Sequence, residues 1–381
     1  MSEISILFSV ALIIFLSPYV AKVIKIPISP TEILLGMIFG FFGFLPQNEL
    51  FKSVSEIGFY YMMFLAGTEV DLKIFLNIKR EILKKVLLFL AILYFLTILL
   101  VFGFNLEQIF AIVIPTMSIG LLSTLYKDYG KNEIWLNRAM LIGIIGEVIS
   151  IGVITIGAIY LKNGFGSDLF LHIFALCAFL LMATFVFKGL ETLFWWYPNL
   201  KTIIMPKYDK NEKDIRFAAA ILFFVAGIML MLDLEIVIGA FIAGTFIPTF
   251  FEHKKDLPQK LSGFGFGFLV PIFFIYTGSA VDLRSVLLPG VLPNIVIIVV
   301  SMFAFRLIAS SVFLKEFKLK NTILTSLSLS MPLTLVIATA TIGKTLEIIN
   351  NEIYYALVLS SIFEAVLSMV LIKFVFNLKK S

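Results

Sequence analysis

The sequence predicts an all-α polytopic membrane protein with about 13 transmembrane helices, and three observations support that prediction. Of the 381 residues, 60% are hydrophobic and only 14% are charged, with a mean hydropathy of +1.04. Soluble domains average about 45–50% apolar and about 25% charged residues. Apolar runs of roughly 20 residues, the length that crosses a bilayer, recur along the chain. Positive charge alternates between the loops that join these runs.

Hydropathy places the spans at 4–24, 29–46, 53–70, 83–103, 107–126, 137–161, 168–193, 213–232, 235–251, 262–282, 292–314, 321–344 and 353–376. No loop between them is long enough for a soluble domain, so we expect one transmembrane domain over 1–381. The first run has no basic region and no small-residue cleavage site before or after it, which favours a retained span over a signal peptide. The single cysteine, Cys177, excludes an intrachain disulfide.

One set of alternate loops contains about 23 lysine and arginine residues, and the other set contains about 4. The alternation continues without a break along the chain. Because such residues are enriched in cytoplasmic loops, the pattern predicts an odd number of spans in a cell (inner) membrane. The N-terminus is then outside and the C-terminus is cytoplasmic. The basic residues lie at span ends, so the net charge of +5 does not indicate nucleic-acid binding.

The longest loop, near 197–213, contains Pro198 and Pro206 and divides the chain into two halves. Repeat one covers about 1–161, a bridging helix and linker about 162–212, and repeat two about 213–381. Six spans of the first repeat and one bridging span precede the second repeat. Because seven is an odd number, the second repeat begins on the opposite side of the membrane and is predicted to be inverted. Inverted repeats place a substrate site near the bilayer midplane, where interrupted helices meet.

Each half is predicted to contain one broken helix. Pro115 interrupts the fifth span and Pro332 interrupts the twelfth, at corresponding positions of the two repeats. Proline removes a helical hydrogen bond, and the hydroxyls and carbonyls of an unwound segment can coordinate a cation. Thr116 and Ser118 are therefore candidate ion ligands. A simple proline kink is the alternative for either segment alone, and the matched positions favour a true break.

Glu147 lies in the middle of an apolar run, in the stretch 140–152. A carboxylate at that depth is costly to insert, by a few kcal/mol on insertion scales. A proton, a bound cation or a watery cavity reduces this cost. A group that must take either a proton or a cation is the core of an ion exchanger, so Glu147 is the candidate Na⁺ or K⁺ site. The alternative is a structural carboxylate hydrogen-bonded to a neighbouring helix.

Four further charged residues are candidates for charge pairing and support. Arg306 lies within the eleventh span and needs a counter-ion or helix C-terminal carbonyls, unless it snorkels toward the end near Lys315. Glu364 lies in the thirteenth span and is either a second acid of the site or a structural partner for a group such as Arg306. Glu69 and Asp71 follow the third span, where a solvated helix end is the simpler interpretation.

Four stretches, taken in order, resemble the signatures of one family. Residues 64–72 resemble F-L-x-G-L-E-x-D-L, residues 239–244 resemble G-A-F-x-A-G, and residues 271–282 resemble P-x-F-F-x-x-x-G-x-x-x-D. Residues 116–125 resemble a broken helix with a T-S-P sequence. On these stretches the chain resembles the monovalent cation:proton antiporter-2 family, of the bacterial and archaeal sodium/proton type without a cytosolic nucleotide-binding domain.

The resemblance implies a homodimer with a dimerisation domain and a mobile core domain, which exchanges protons for Na⁺, K⁺ or Li⁺ by alternating access. It implies no cofactor and a role in pH homeostasis. Glu147 would match the family's ion-binding aspartate, and Arg306 a basic residue that pairs with an acidic site residue. Gly146 stands where the family usually has Asp, Asn or Gln, and electrogenic members carry two adjacent acids. A single carboxylate predicts electroneutral exchange.

Two other classes of function remain open at this stage. A cation-coupled symporter of an organic anion could use similar broken helices with a basic cavity, and a channel or the membrane part of a sensor could share the fold. An intramembrane enzyme is the least favoured class, because the sequence contains no HExxH, P-loop or GxSxG pattern.

Overall fold

The computed structural model describes residues 2–69, 80–130, 133–206, 211–232, 234, 236–251, 254, 256–281, 284 and 288–377, and within these ranges the regular secondary structure is entirely helical. The helices of the first half are α1 (Ser2–Ile24), α2 (Ile28–Phe41), α3 (Glu49–Thr68), α4 (Arg80–Gly103), α5 (Ile109–Val113), α6 (Gly120–Tyr129), α7 (Ile134–Asn163), α8 (Ser167–Trp196) and α9 (Pro198–Ile204). Those of the second half are α10 (Lys213–Met231), α11 (Ile236–Phe250), α12 (Leu257–Phe264), α13 (Val270–Ser279), α14 (Val291–Ser310), α15 (Leu319–Leu329), α16 (Leu333–Thr345) and α17 (Asn351–Asn377). A π-helical turn, Gly265–Leu269, joins α12 to α13.

Every predicted span overlaps one of these helices or an interrupted pair of them. Nine helical stretches among the described residues are long and apolar enough to cross a membrane, and α2 and α11 are shorter apolar helices. The second predicted span is too long, because α2 ends at Phe41 and the chain turns at Gly43 with φ +78°. The predicted linker near 197–213 contains the short helix α9, which begins with Pro198, a residue suited to a first helical turn.

The helices pack in two groups, and each half of the chain contributes to both. The first group contains α1, α2 and α3 together with α10 to α13, with the closest packing between α3 and α11 and between α2 and α13. The second group contains α4 to α7 together with α14 to α17, where α17 packs on α14, α15 and α16. The long helix α8 packs on α7, which precedes it in the chain, and on α9, which follows it.

Helices α3 and α11 cross through glycines that bring their backbones into contact. A Cβ atom on Gly67 would collide with the carbonyl oxygen of Phe241, and one on Gly244 would collide with the carbonyl oxygen of Phe64. Close approach of two backbones is the use that membrane helices make of small residues. These four residues belong to the stretches 64–72 and 239–244 that carry the family resemblance.

Helices α2 and α13 cross in the same way. A Cβ atom on Gly36 would collide with the carbonyl oxygen of Ile275, and one on Gly278 would collide with the carbonyl oxygen of Ile33. Gly278 lies in the third resembling stretch, 271–282. Three of the four signature stretches therefore supply glycines to helix crossings in the first group.

Replacing a glycine at either crossing is expected to destabilise the protein. Gly67→Ala and Gly278→Ala each force a methyl group into a neighbouring carbonyl, and overpacking of this kind typically costs about 1–3 kcal/mol. Thermal unfolding in detergent measures the effect. Gly189→Ala in α8 and Gly227→Ala in α10 are matched controls, because an added Cβ has nothing within 4 Å there. Equal melting temperatures for crossing and control variants would contradict the packing argument.

Candidate functional site

The first broken helix is interrupted between α5 and α6, over residues 114–119. Pro115 lies in a turn directly after α5. The backbone N–H of Thr116 donates to the Val113 carbonyl at 3.1 Å, and its hydroxyl donates to the Ile112 carbonyl at 2.7 Å. Thr116 is buried and its hydroxyl closes the end of its own half-helix.

The second broken helix is interrupted between α15 and α16, at residues 330–332, where Pro332 ends the break. The Ser330 hydroxyl donates to the Ser326 carbonyl at 2.9 Å, and the Ser368 hydroxyl of α17 donates to the Ser330 carbonyl at 2.9 Å. Hydroxyls thus satisfy the backbone groups around the break, as buried irregular backbone in a membrane protein requires. Both predicted interruptions exist in the structure.

The two broken helices meet through a pair of hydroxyls. Ser118 Oγ, in the first break, lies 2.5 Å from Thr334 Oγ1, in the first turn of α16. Both residues are buried. The unwound segment in the first half of the chain therefore contacts the start of α16 in the second half, so the two broken helices meet.

Glu147 of α7 lies at this crossing and is fully buried. Its Oε1 accepts a hydrogen bond from Ser118 Oγ at 3.1 Å, and its Oε2 accepts one from the Ile119 backbone N–H at 3.4 Å. Helix α6 begins one residue later, at Gly120. The N-terminus of a helix carries partial positive charge, so the first turn of α6 adds to the stabilisation of a carboxylate at this position.

One face of α7 fits against the unwound segment. Positions 146 and 147 each lie about one helical turn before position 150, and all three residues contact the segment. Ser150 Oγ accepts a hydrogen bond from the Met117 backbone N–H at 3.0 Å. One turn earlier, a Cβ on Gly143 would lie 2.9 Å from Ile119 Cγ2. Small side chains on α7 therefore let the segment lie close enough for Glu147 to bind it.

Arg306 of α14 is fully buried and contacts the first break. Its Nη1 donates to the Met302 carbonyl at 3.2 Å, and its Nη2 donates to the Thr116 carbonyl. The C-terminal end of a half-helix carries partial negative charge, which the guanidinium neutralises. Arg306 therefore does not extend toward the membrane surface. Its hydrogen bonds go to backbone carbonyls, whereas the resemblance implies that it pairs with a carboxylate.

Glu364 of α17 is also fully buried and is near enough to Arg306 for the two charges to interact. Within the described part of the chain, neither Glu364 oxygen has a hydrogen-bond partner, and Arg306 Nε has none either. Arg306 and Glu364 therefore interact through space, and no hydrogen bond joins them in the structure. This geometry fits the interpretation of Glu364 as a partner of Arg306.

A cavity of about 750 Å³ leads to the crossing from one side of the protein. Residues of α1, α2 and α12 form one wall, and residues of α6, α16 and α17 form the other. Its charged and polar lining includes Lys22, Lys25, Ser29, Glu32, Glu69 and Gln259, and it reaches Gly120 and Thr334 at the broken helices.

Two carboxylate side chains line this cavity. Glu69 is exposed, caps the end of α3 and interacts electrostatically with Glu147. Glu32 is buried and accepts a hydrogen bond from Ser17 at 3.3 Å. The predicted residue Asp71 lies outside the described residues.

The structure brings Glu147 together with Ser118, and Thr116 together with Arg306, as parts of one centre. Sequence reasoning missed Thr334 and Ser150 as neighbours of that centre. The signals were present, because Thr334 comes two residues after Pro332 and Ser150 follows Glu147 by three residues. Neither signal distinguishes a neighbour of the site from the many other hydroxyls in these helices.

Comparisons with known proteins identify the family of the chain. A family described as "Sodium/hydrogen exchanger, transmembrane" matches residues 11–378. The chain is 25% identical to "Probable Na(+)/H(+) antiporter 3" of Methanocaldococcus jannaschii, over 98% of this chain and 96% of that protein. It is 25% identical to "Putative Na(+)/H(+) antiporter YjbQ" of Bacillus subtilis, over 96% of this chain and 62% of that protein.

A solved structure shares the fold. The sodium proton antiporter MjNhaP1 from Methanocaldococcus jannaschii at pH 8 matches with a TM-score of 0.63, at 15% identity and over 99% of each chain. The match to the family extends over nearly the whole chain and includes both broken helices and Glu147. The chain belongs to the transmembrane sodium/hydrogen exchanger family, among the monovalent cation:proton antiporters.

Proposed function

We propose that this protein exchanges protons for a monovalent cation, Na⁺ first and K⁺ or Li⁺ second, with Glu147 as the shared binding site. The observation that carries the proposal is the fully buried Glu147 carboxylate at the crossing of two broken helices, bound by Ser118 Oγ and the Ile119 N–H. The names of the relatives support the choice of ions. The site residues are inferred from geometry.

The chemistry of exchange follows from burial. A charged carboxylate in a low-dielectric interior must be neutralised by a proton or by a cation. Ser118 and Thr334 offer hydroxyl oxygens beside Glu147, and oxygen ligands suit hard monovalent cations as they suit other hard cations. A cation that binds there takes the place of the proton, so the two ions compete for one site and cannot be carried together.

Alternating access would arise from relative motion of the two helix groups. In this proposal the first group is the dimerisation domain, the second is the mobile core domain, and α8 bridges two inverted repeats within thirteen spans. Lys22, in the last turn of α1, and Lys25, just after that helix, line the cavity and lie at a span end that charge bias assigns to the cytoplasm. The cavity then opens inward, with an outside N-terminus, and Glu69 lies on the path between cytoplasm and site.

A proteoliposome assay tests the proposal. Purified protein is reconstituted with an internal pH dye, and Na⁺, K⁺ and Li⁺ are added in turn outside. We expect saturable proton movement with the ion that is transported, and none without a cation. A symporter of an organic anion would need that anion for proton movement. A channel would conduct without saturation, and a sensor domain would give no flux.

Ser118→Ala is expected to weaken cation binding and raise the apparent KM for Na⁺. Hydrogen bonds to charged groups contribute about 1.5–3 kcal/mol, so the rise should be about tenfold or more. Concentration series in proteoliposomes measure it. Ser360→Ala is the matched control, since this buried hydroxyl donates only to the Leu357 carbonyl of its own helix, at 2.9 Å. An unchanged KM for Ser118→Ala would remove Ser118 from the site.

Exchange at Glu147 alone would be electroneutral, because one proton leaves for each monovalent cation bound. A membrane potential set with valinomycin and K⁺ should then leave the equilibrium Na⁺ gradient unchanged. A clear dependence on voltage would contradict one-for-one exchange. If Glu364→Gln removed that dependence, the second proton would be assigned to Glu364.

A further inference from the structure

A second buried carboxylate, Glu32, lies on the cavity wall that α1, α2 and α12 form. It is in the second turn of α2 and is only 3% exposed, yet it lines the cavity. Within the described part of the chain its one hydrogen bond joins Oε1 to the Ser17 hydroxyl at 3.3 Å, and no lysine or arginine forms an ion pair with it. The proposed exchange at Glu147 does not use this carboxylate.

Four acidic residues are buried among the described residues, and they differ in their positive partners. Asp214 forms ion pairs with two lysines, at 3.3 and 3.4 Å. Glu364 interacts through space with Arg306. The other two, Glu32 and Glu147, have no lysine or arginine partner in this part of the chain. Because a buried carboxylate needs a proton or a positive charge beside it, both can take a cation that enters from the cavity.

The surroundings of Glu32 offer oxygen ligands for such a cation. Ser17 Oγ lies 3.3 Å from its carboxylate, and Ser29, one helical turn before it on α2, also lines the cavity. Carboxylate, hydroxyl and water oxygens are the ligands that hard cations prefer. The cavity of about 750 Å³ has room for the water molecules that would complete the coordination.

We propose that Glu32 binds a monovalent cation, Na⁺ first, and holds it in the cavity for transfer to Glu147. The transfer rests on the proposed exchange at Glu147, whereas the binding at Glu32 does not. Glu32 belongs to the first helix group and Glu147 to the second, so a cation must leave Glu32 before the second group carries it. A negative charge in a cleft with low-dielectric walls raises the local concentration of cations, and this cavity extends to Gly120 and Thr334 at the broken helices.

Equilibrium binding of radioactive Na⁺ to the purified protein tests the site itself. Glu147→Gln should still bind Na⁺, and the double variant Glu32→Gln/Glu147→Gln should bind none. Glutamine keeps the length of the side chain and can still bond to Ser17, so the double variant should elute from size-exclusion chromatography like wild type. Glu347→Gln/Glu147→Gln is the matched control, because Glu347 is exposed in the turn after α16. Absence of Na⁺ binding in Glu147→Gln would overturn the proposal, as would equal binding in Glu147→Gln and Glu32→Gln/Glu147→Gln.

The transfer is tested in everted membrane vesicles, whose outer face is the cytoplasmic face of the protein. Glu32→Gln should raise the apparent KM for Na⁺ at that face about tenfold, and the maximal rate should change less than KM does. A purely structural role for Glu32 would instead lower the maximal rate and the melting temperature and leave KM near the wild-type value. That result, or an unchanged KM at wild-type stability, would overturn the transfer from Glu32 to Glu147.

Failure of the proposed function is distinguishable from failure of this inference. Wild-type protein without cation-dependent proton movement, or with movement that survives Glu147→Gln, would refute exchange at Glu147. The difference in Na⁺ binding between Glu147→Gln and Glu32→Gln/Glu147→Gln would still report on Glu32. If wild type exchanges and Glu147→Gln does not, Na⁺ binding that is lost only in the double variant assigns the second site to Glu32.

Discussion

Glu147→Gln is expected to abolish cation–proton exchange while leaving a folded protein. Glutamine keeps the length of the side chain, and its carbonyl oxygen can still accept from the Ile119 N–H that binds Glu147 Oε2 at 3.4 Å. It cannot release a proton or neutralise a cation. Glu147→Ala should also abolish exchange, at a greater loss of stability, because the buried donors at the crossing lose their acceptor.

Proteoliposome exchange and size-exclusion chromatography measure the two parts of this prediction. Transport should fall to the level of empty vesicles, and the elution profile should match that of wild type, with the proposed dimer retained. Glu347→Gln is the control, because Glu347 is exposed in the turn after α16. Substantial exchange in Glu147→Gln would show that the proton and cation are carried elsewhere, with Glu364 the next carboxylate to replace.

Arg306→Ala is expected to cause the largest loss of stability among single substitutions at the centre. Its guanidinium binds the Thr116 and Met302 carbonyls and interacts through space with the buried carboxyl group of Glu364. Removing one member of a buried charge pair costs about 3–5 kcal/mol. The loss should appear as a lower melting temperature in detergent. Lys315→Ala, in the exposed turn after the same helix, is the control and should melt with wild type.

A double-mutant cycle separates the two roles of Arg306. If charge compensation dominates, Glu364→Gln should recover part of the stability lost in Arg306→Ala, with a coupling of about 0.5–3 kcal/mol. If capping of the broken helix dominates, Glu364→Gln should have no such effect, because the Thr116 carbonyl would still lack its donor. An unchanged melting temperature for Arg306→Ala would contradict both roles.

Three of the stretches that resemble the family signatures indicate the family, but they do not contain the candidate ion site. Gly67, Gly244 and Gly278 lie in three of those stretches, and the structure uses them to bring helix backbones together. Motifs of this kind report the packing of the first helix group. The candidate ion site lies in the other group. Glu147 stood out there because a carboxylate is costly in an apolar run, and the fourth stretch, 116–125, includes part of the unwound segment beside it.

The sequence by itself determined the all-helical membrane class, the positions of the helices and the two interrupted segments. These follow from local physics, since hydropathy sets the length of a span and proline removes a hydrogen bond wherever it occurs. It also selected Glu147, Ser118 and Arg306 from a chain rich in hydroxyls, because buried charge and broken backbone each need a partner.

Only the tertiary structure decided which partners those residues have. The hydroxyls of Ser118 and Thr334 are 216 positions apart in the chain and 2.5 Å apart in space. Arg306 binds the carbonyl of Thr116 in the other half of the chain. A Cβ atom on Gly146 would collide with Met117, on a neighbouring element. Such contacts depend on how helices cross, and crossing is set by the packing of many side chains together, which no local pattern in the sequence encodes.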